Sequence, residues 1–175
     1  MSADGLRFAG VVALPGVLGL VQDAYRGEPS RAGWTTEADL LDGGRTTPEL
    51  VRALLVSVRD AVLVLGPQDR PTACCAVGVA DGVASLGMFA VRPEEQGRGT
   101  GAAVLAGAER YVRERWDPGA LHLSVIRQRT ELVDWYGRRG YAPTGGTQPF
   151  PYGDERYGRP LRDDLELVVL RRALR

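Results

Sequence analysis

Lysine and asparagine are absent from the sequence, so all 22 of its basic residues are arginine. Without lysine, the chain cannot use a lysine nucleophile, a Schiff base or the lysine of a nucleotide-binding P-loop. Isoleucine occurs once, at Ile126. Because lysine, asparagine and isoleucine have AT-rich codons, this composition indicates a GC-rich and bacterial genome.

An excess of one charge is also absent, because 22 acidic residues balance the arginines. The chain has no basic arm or acidic tail, so the charge pattern predicts no nucleic-acid partner. Cysteine is scarce, and Cys74 and Cys75 are adjacent. Neighbouring strand residues point to opposite faces, so we expect two small apolar core residues and no disulfide or metal site.

A long hydrophobic run is missing as well. The stretch from Ala9 to Leu20 contains Pro15 and is too short to span a bilayer. The basic and apolar segments of a secretory signal are not found at the N-terminus. The sequence therefore predicts no membrane partner and a cytoplasmic location. With 44% hydrophobic residues, we expect a single domain over residues 1–175.

Hydrophobic periodicity predicts a mixed α/β fold. Strands are predicted at residues 7–14, 61–65, 72–80, 83–91, 121–126, 141–144 and 165–170. Helices are predicted at residues 17–25, at 48–58, after a glycine-rich turn at 97–101, and at 130–138. Pro15-Gly16 is expected to end the first strand. The strand at 121–126 is almost entirely apolar, so we expect both of its faces to be covered. Three consecutive antiparallel strands, at residues 61–65, 72–80 and 83–91, are expected to lead into the glycine-rich turn.

Residues 88–101, MFAVRPEEQGRGTG, carry the most functional information. An apolar strand leads into Pro93, then into a turn with three glycines, then into an amphipathic helix. Such a turn places backbone N–H groups around one point at a helix N-terminus, where the helix dipole is positive and phosphate binds. Glycines allow close approach and positive φ. The sequence therefore predicts a phosphate-bearing cofactor held by main-chain donors.

The same turn also matches the dinucleotide pattern G-x-G-x-x-G/A over residues 97–102, with Asp117 about 20 residues further on. A dinucleotide-dependent oxidoreductase is therefore an alternative. The antiparallel hairpins predicted before the turn disfavour it, because that fold needs parallel strands. A turn without a ligand is a further alternative.

The segment from Gln96 to Gly101 resembles the Gln/Arg-x-x-Gly-x-Gly/Ala signature of the GNAT N-acetyltransferase superfamily. Residues 135–141, WYGRRGY, are similar to its Tyr-x-x-x-Gly-Phe/Tyr segment. The resemblance implies a central, mostly antiparallel sheet of six to seven strands, splayed at the cofactor site and flanked by helices on both faces. It also implies acetyl-CoA as the donor. It implies that the cofactor's pyrophosphate is bound by the turn, with Gln96 at its start, followed by Gly97, Arg98, Gly99, Thr100 and Gly101. It also implies that the pantetheine arm pairs with Phe89, Ala90 and Val91, in a gap between that strand and residues 121–125.

Two residues are candidates for the chemistry. By resemblance, Tyr136 protonates the departing thiolate. Glu37 is a candidate base or ammonium anchor, although Thr-Thr-Glu at 35–37 also suits the cap of a helix. His122, the single histidine, is expected to be structural.

The acceptor site is expected in the variable N-terminal region, with Tyr25, Arg26, Trp34 and Arg45. Arg129 stands where the family often has asparagine, so it is expected to contact the cofactor or an acceptor carboxylate, or else to be a solvated residue at a helix start. Aromatic and arginine side chains suit a small acceptor with a carboxylate or an aromatic ring. A loop that carries Phe150, Tyr152 and Tyr157 is expected to close over this site.

The sequence thus predicts an acetyl-CoA-dependent N-acetyltransferase that acts on a primary amine of a small molecule. The amine attacks directly in a ternary complex, because no cysteine is placed to carry the acetyl group. We expect a monomer or homodimer. The main alternative is a domain that binds acyl-CoA as a sensor or scaffold without turnover.

Overall fold

The computed structural model describes residues 5–174. Nine strands are present in this part of the chain: β1 (Leu6–Phe8), β2 (Leu41–Asp42), β3 (Asp60–Leu65), β4 (Ala73–Ala80), β5 (Val83–Val91), β6 (Ala120–Ile126), β7 (Ala142–Pro149), β8 (Arg159–Pro160) and β9 (Glu166–Ala173). Five α-helices accompany them: α1 (Leu14–Tyr25), α2 (Gly27–Arg31), α3 (Pro48–Val56), α4 (Thr100–Trp116) and α5 (Thr130–Gly137).

Seven strands form one sheet in the order β1-β3-β4-β5-β6-β9-β7, and β2 pairs with β8 separately. Every neighbouring pair in the large sheet is antiparallel except β5 and β6. The predicted mixed α/β fold with a mostly antiparallel sheet is confirmed. A dinucleotide-binding fold requires a parallel sheet, so that alternative is wrong.

Helices cover both faces of this sheet. Leu63 and Cys75 pack in the cluster that α4 and α5 complete, whereas Val62 and Cys74 pack in the cluster with α1 and α3. The two cysteines therefore point to opposite faces, as their adjacency predicts. Burial raises the pKa of Cys74 to about 12, so its thiol is unreactive. Among residues 5–174, no helix is long and apolar enough to cross a membrane.

The first predicted strand is wrong beyond Phe8. Residues 11–13 form a single 3-10 turn, and α1 begins at Leu14. Pro15 lies in the first helical turn, where its missing N–H is not needed. Gly16 is buried, and a Cβ there would come within 2.6 Å of the backbone oxygen of Asp69. This glycine therefore serves close packing and does not end a strand.

A β-bulge in β5 opens the sheet beside β6. Cys74 pairs with Ala90 and Ala76 with Gly87, so Cys75 faces two residues, Met88 and Phe89. Met88 adopts a left-handed conformation with φ of 47°. A bulge bends its strand, and the pairing of β5 with β6 stops after Leu86 meets Leu123. The predicted gap between these strands is thus present in the structure.

The prediction that β6 is covered on both faces is wrong. Leu121, Leu123 and Val125 pack under α4 and α5, but His122 and Ser124 on the other face line an open groove. The helices α1 and α3 pack over β3, β4 and β5 and do not reach β6. The sheet beyond β5 therefore has one face available for a ligand.

The C-terminal part also differs from the prediction. The strand predicted to end at residue 144 continues as β7 to Pro149. The loop that follows contains a single turn, Glu155–Tyr157, and then β8, whose pairing with β2 ties this loop to the N-terminal region.

Candidate active site

The glycine-rich turn presents backbone donors at the start of α4. Gly97 and Gly99 have φ of 75° and 85°, which glycine adopts without strain. In the described chain, the N–H groups of Gly97, Arg98 and Gly99 have no hydrogen-bond partner. The Oγ1 atom of Thr100 is buried and also without a partner. These donors, together with the helix dipole, fit an anion such as a pyrophosphate.

A cavity of about 210 Å³ lies between this turn, the end of β5 and α5. A Cβ at Gly97 or Gly99 would meet nothing within 4 Å, so the backbone is accessible from the open side. The cavity wall includes Trp135 and Arg139, whose guanidinium lies 3.7 Å from the Trp135 ring centroid. This cation–π contact places a positive charge beside the cavity.

Two backbone carbonyl groups of β5 at the gap accept hydrogen bonds from side chains. The Tyr25 hydroxyl donates to the carbonyl oxygen of Phe89 at 2.7 Å. Gln96 Nε2 donates to the carbonyl oxygen of Val91 at 3.0 Å, and Gln96 Oε1 accepts from the backbone N–H of Trp34 at 2.6 Å. The Gln96 side chain therefore links two backbone segments. It stabilises the turn from within.

A groove of about 700 Å³ lies over the face of β5, β6 and β9 that α1 and α3 leave uncovered. The groove and the smaller cavity meet at the gap between β5 and β6. They share five lining residues, which are Tyr25, Phe89, Arg129, Leu132 and Tyr136. Two ligands bound in these two spaces would therefore be in contact at the gap.

Three arginines surround one carboxylate at the end of the groove. Glu37 accepts hydrogen bonds from Arg26 and, at 2.7 Å, from Arg129 Nη1, and Arg45 Nε lies 3.7 Å from it. Burial alone would raise the pKa of Glu37, but Arg129, Arg45 and Arg26 together hold it below the usual value. Glu37 is therefore ionised, and two of the three positive charges have no carboxylate of their own among residues 5–174.

The ring of Tyr25 lies beneath two of these arginines. The guanidinium carbons of Arg45 and Arg129 are 4.9 Å and 5.6 Å from its centroid. Burial raises the pKa of Tyr25, so its hydroxyl stays protonated as the donor to Phe89. The Arg26 side chain also donates to the carbonyl oxygen of Tyr157 at 3.1 Å. The cluster is thus tied to α1, to β5 and to the C-terminal loop.

Two alternative interpretations of these residues are wrong. Leu40 and Leu41 donate their N–H groups to the Glu37 carbonyl oxygen at 2.9 Å, but the segment is a turn and no helix begins there, so Glu37 caps no helix. Arg129 does precede α5, yet it is 5% exposed. It is therefore not a solvated arginine at a helix start.

Tyr136 lies in α5 and reaches the gap. Its ring is held by edge contacts to Trp135, Tyr141 and Phe89, at centroid distances of 4.9 Å, 5.5 Å and 6.4 Å. Burial raises the pKa of Tyr136, so the hydroxyl keeps its proton at neutral pH. The structure therefore positions a protonated phenol where the two cavities meet.

The structure gathers most of the predicted acceptor residues in the larger groove. Tyr25, Arg26, Arg45 and Arg129 line it, but Trp34 lines only the smaller cavity. From the C-terminal loop, Phe150 and Tyr157 line the groove and Tyr152 does not.

The sequence interpretation missed His122, which lines the groove although it was expected to be structural. A signal was available in the pattern of β6, because His122 and Ser124 alternate with leucine and valine. Such an alternation is typical of a strand with one open face.

Comparison with known proteins matches the chain to one protein family. The model of the Acetyltransferase (GNAT) family matches residues 31–141. No curated protein matches the sequence at a significant level. In structure, however, 326 chains match this fold.

Three of these structures illustrate the range. The ribosomal-protein-S18-alanine N-acetyltransferase from Escherichia coli has a TM-score of 0.70 at 15% identity, over 97% of this chain and 92% of that one. A spermidine N-acetyltransferase chimera from Vibrio cholerae and hSSAT has a TM-score of 0.65 at 12% identity, over 97% and 95%. A GNAT family acetyltransferase from Elizabethkingia anophelis with acetyl-CoA bound has a TM-score of 0.60 at 16% identity, over 73% and 84%. Identities this low establish the shared fold alone.

Proposed function

Because the chain belongs to the GNAT acetyltransferase family, we propose that it transfers an acetyl group from acetyl-CoA to a primary amine of a small molecule. The observation that carries this proposal is the meeting of two cavities at the gap between β5 and β6. One cavity is bounded by unpaired backbone donors that suit a pyrophosphate. The other has the size and polar groups for a small acceptor.

The residues of the smaller cavity fit acetyl-CoA. We assign the pyrophosphate to the N–H groups of residues 97–101. We assign the pantetheine arm to the edge of Phe89, Ala90 and Val91, which β6 does not pair and where Tyr25 and Gln96 already occupy two carbonyl groups. The structure from Elizabethkingia anophelis contains acetyl-CoA, which supports this assignment. When bound, acetyl-CoA supplies a thioester whose acetyl carbon bonds to the amine nitrogen as the carbon–sulfur bond breaks, and the proton lost by nitrogen ends on sulfur.

Tyr136 acts on the sulfur side in this proposal. Its hydroxyl keeps its proton because burial raises its pKa, and it lies where the two cavities meet. A phenol that is protonated at neutral pH donates a hydrogen bond to a thiolate as negative charge develops. Because an ordinary thiol has a pKa of about 8.5, most of the released CoA carries a protonated thiol at neutral pH.

Glu37 is assigned a positioning role on the acceptor side. A carboxylate whose pKa lies below the usual value is a weak proton acceptor, and both of its oxygens are engaged by arginine. Glu37 therefore holds Arg26 and Arg129 in place. The amine must then arrive uncharged, which for an amine of pKa about 10.4 costs about 4–5 kcal/mol at neutral pH.

Thiol release with a panel of amines tests the proposal. An enzyme releases CoA thiol from acetyl-CoA only when a suitable amine is present. Thermal stabilisation by acetyl-CoA without amine-dependent release, across a panel that includes amino acids, polyamines and aryl amines, would contradict the proposal and indicate a binding domain.

The variant Tyr136→Phe tests the role of the hydroxyl. We expect kcat to fall about 100-fold, because general acid catalysis contributes about 10²–10⁴, while the Kd of acetyl-CoA changes little. Steady-state kinetics and calorimetry measure the two quantities. An unchanged kcat would show that water or another group protonates the sulfur.

A further inference from the structure

We propose that the acceptor is an amino acid with an apolar side chain, and that the arginines around Glu37 bind its carboxylate. This inference rests on the proposed function and names the substrate class for the same site. In this reaction the amino nitrogen of the amino acid gains the acetyl group, and the thiol of CoA leaves with the proton that the nitrogen loses.

The charge of the groove favours an anionic ligand. Four charged side chains line it, namely Arg26, Arg45, Arg129 and Glu37, which leaves two positive charges in excess. Arg26 and Arg129 are 2% and 5% exposed, so water screens them little. Buried charges are stable when they are paired, and the described residues of the lining include no second carboxylate.

The arginines also retain unused donors. The Nε atoms of Arg26 and Arg129 are buried and have no hydrogen-bond partner in the part of the chain that the structure describes. The Arg45 side chain, 27% exposed, makes no hydrogen bond within residues 5–174, and its Nε lies 3.7 Å from Glu37. A guanidinium with free N–H groups binds a carboxylate through two parallel hydrogen bonds. Arg45 is thus the cation most available to a ligand.

The position of the cluster sets the spacing between the two groups of the acceptor. Arg45 and Arg129 lie over the same ring of Tyr25, and both Tyr25 and Arg129 line the two cavities. A carboxylate bound by Arg45 at this cluster therefore lies near the gap. The amine must reach the same gap to meet the thioester. Amine and carboxylate must therefore be separated by few bonds, as they are in an amino acid.

The remaining walls of the groove suit an apolar side chain. They are formed mainly by hydrophobic residues, among them Leu41, Met88, Ile126, Phe150, Leu167 and Val169. A polyamine fits this groove poorly, because its additional ammonium groups would face the excess positive charge of the arginines, and Glu37, the one carboxylate among the described lining residues, is already bonded to two of them.

Thiol release with matched acceptors tests the inference. The panel contains the apolar amino acids, the carboxamide of each, the corresponding amines without the carboxylate, and spermidine. We expect kcat/KM for the best amino acid to exceed that of its carboxamide by at least about 10-fold, since a hydrogen-bonded charge pair contributes on that order. The carboxamide has the less basic amine, so the ease of deprotonation cannot produce this preference.

The variant Arg45→Gln assigns the effect to the cluster. We expect it to lower kcat/KM for the amino acid about 10- to 100-fold, mainly through KM, and to lower kcat/KM for the carboxamide much less. Arg31→Gln is the matched control, because Arg31 is an exposed, ion-paired arginine outside the groove. Calorimetry with the N-acetyl amino acid adds a readout that needs no turnover, and Arg45→Gln should weaken this binding too.

The outcomes separate the two proposals. Thiol release that ignores the carboxylate, or a preference for spermidine, would overturn this inference and leave the acetyltransferase function standing. A loss for Arg45→Gln that is equal on amino acid and carboxamide would also overturn it. The absence of amine-dependent release with every acceptor would overturn the proposed function itself.

Discussion

The charge of Glu37 depends on the residues around it. Burial opposes its ionisation, and the three arginines around it overcome this effect. Its pKa is therefore lower in the folded chain than in the unfolded chain, where a glutamate titrates at about 4.3. It follows that Glu37 stabilises the fold above the unfolded pKa, and that this contribution is lost as pH falls through the folded pKa.

We therefore expect Glu37→Gln to lower the free energy of unfolding at pH 7 by about 3–5 kcal/mol, because it leaves buried arginines unpaired. The difference between variant and wild type should shrink as pH falls below about 4. Urea unfolding at several pH values measures it. Glu28→Gln, which removes a carboxylate paired only with the exposed Arg31, should have little effect. A difference that does not depend on pH would contradict the ionised state of Glu37.

Introducing an acidic side chain at Gly99 tests the anion site. Gly99→Glu places a carboxylate beside the donors of the turn, and the positive φ adds about 1–2 kcal/mol of backbone strain. We expect affinity for acetyl-CoA to fall more than about 100-fold, since like charges in contact cost several kcal/mol. Calorimetry measures this change. Gly145→Glu is the control, because Gly145 also has positive φ and open space around it. Unchanged affinity for Gly99→Glu would refute the site.

At the scale of single elements, α1 contains two glycines with opposite requirements. A Cβ at Gly16 would meet the backbone of Asp69 at 2.6 Å, whereas a Cβ at Gly19 would meet nothing within 4 Å. The packing of the loop after β3 thus depends on one of these glycines and not on the other.

We expect Gly16→Ala to destabilise the protein by about 1–3 kcal/mol through overpacking. Gly19→Ala should stabilise it by about 0.5–1 kcal/mol, because alanine loses less entropy in a helix. Urea unfolding of both variants measures the two effects. Destabilisation by both substitutions would mean that α1 is less regular than the structure has it.

The same helix shows where sequence patterns mislead. Pro15-Gly16 suggests a turn because both residues often occur in turns, but a proline is equally at home in the first turn of a helix. Tertiary contact with Asp69 explains the glycine, and no local pattern reveals such a contact. By contrast, β5 and the turn at Asp81-Gly82 follow from local signals alone and lie where the sequence predicts them.

At the scale of the whole molecule, a ligand that binds the folded state raises its stability. A concentration of acetyl-CoA 100 times its Kd should add about 2.7 kcal/mol. For a chain of this size, we expect Tm to rise by about 5–10 °C. A thermal scan with and without acetyl-CoA measures the shift, and Gly99→Glu should abolish it. The absence of any shift in the wild type would contradict the cofactor assignment.

The two halves of the candidate site differ in how far sequence could predict them. The glycine-rich turn is contiguous, so its residues and its chemistry can be read together. The acceptor groove is assembled from distant segments: Arg129 bonds to Glu37 across 92 positions, and Arg26 to the Tyr157 carbonyl across 131. Sequence alone named the arginines and Glu37 but could not show that they form one buried cluster.

The bulge in β5 has a consequence for how this architecture tolerates insertions and deletions. The space between β5 and β6 depends on a single extra residue, because Met88 and Phe89 together face Cys75. If either residue is removed, Gly87 and Ala90 are separated by one residue, as their partners Ala76 and Cys74 are on β4. The pairing of β4 with β5 then becomes regular, and Gly87 and Ala90 keep the face of the sheet that they have now. A chain shortened by that one amino acid should still fold, but β5 and β6 should then pair beyond Leu86 and Leu123 and close the gap between them.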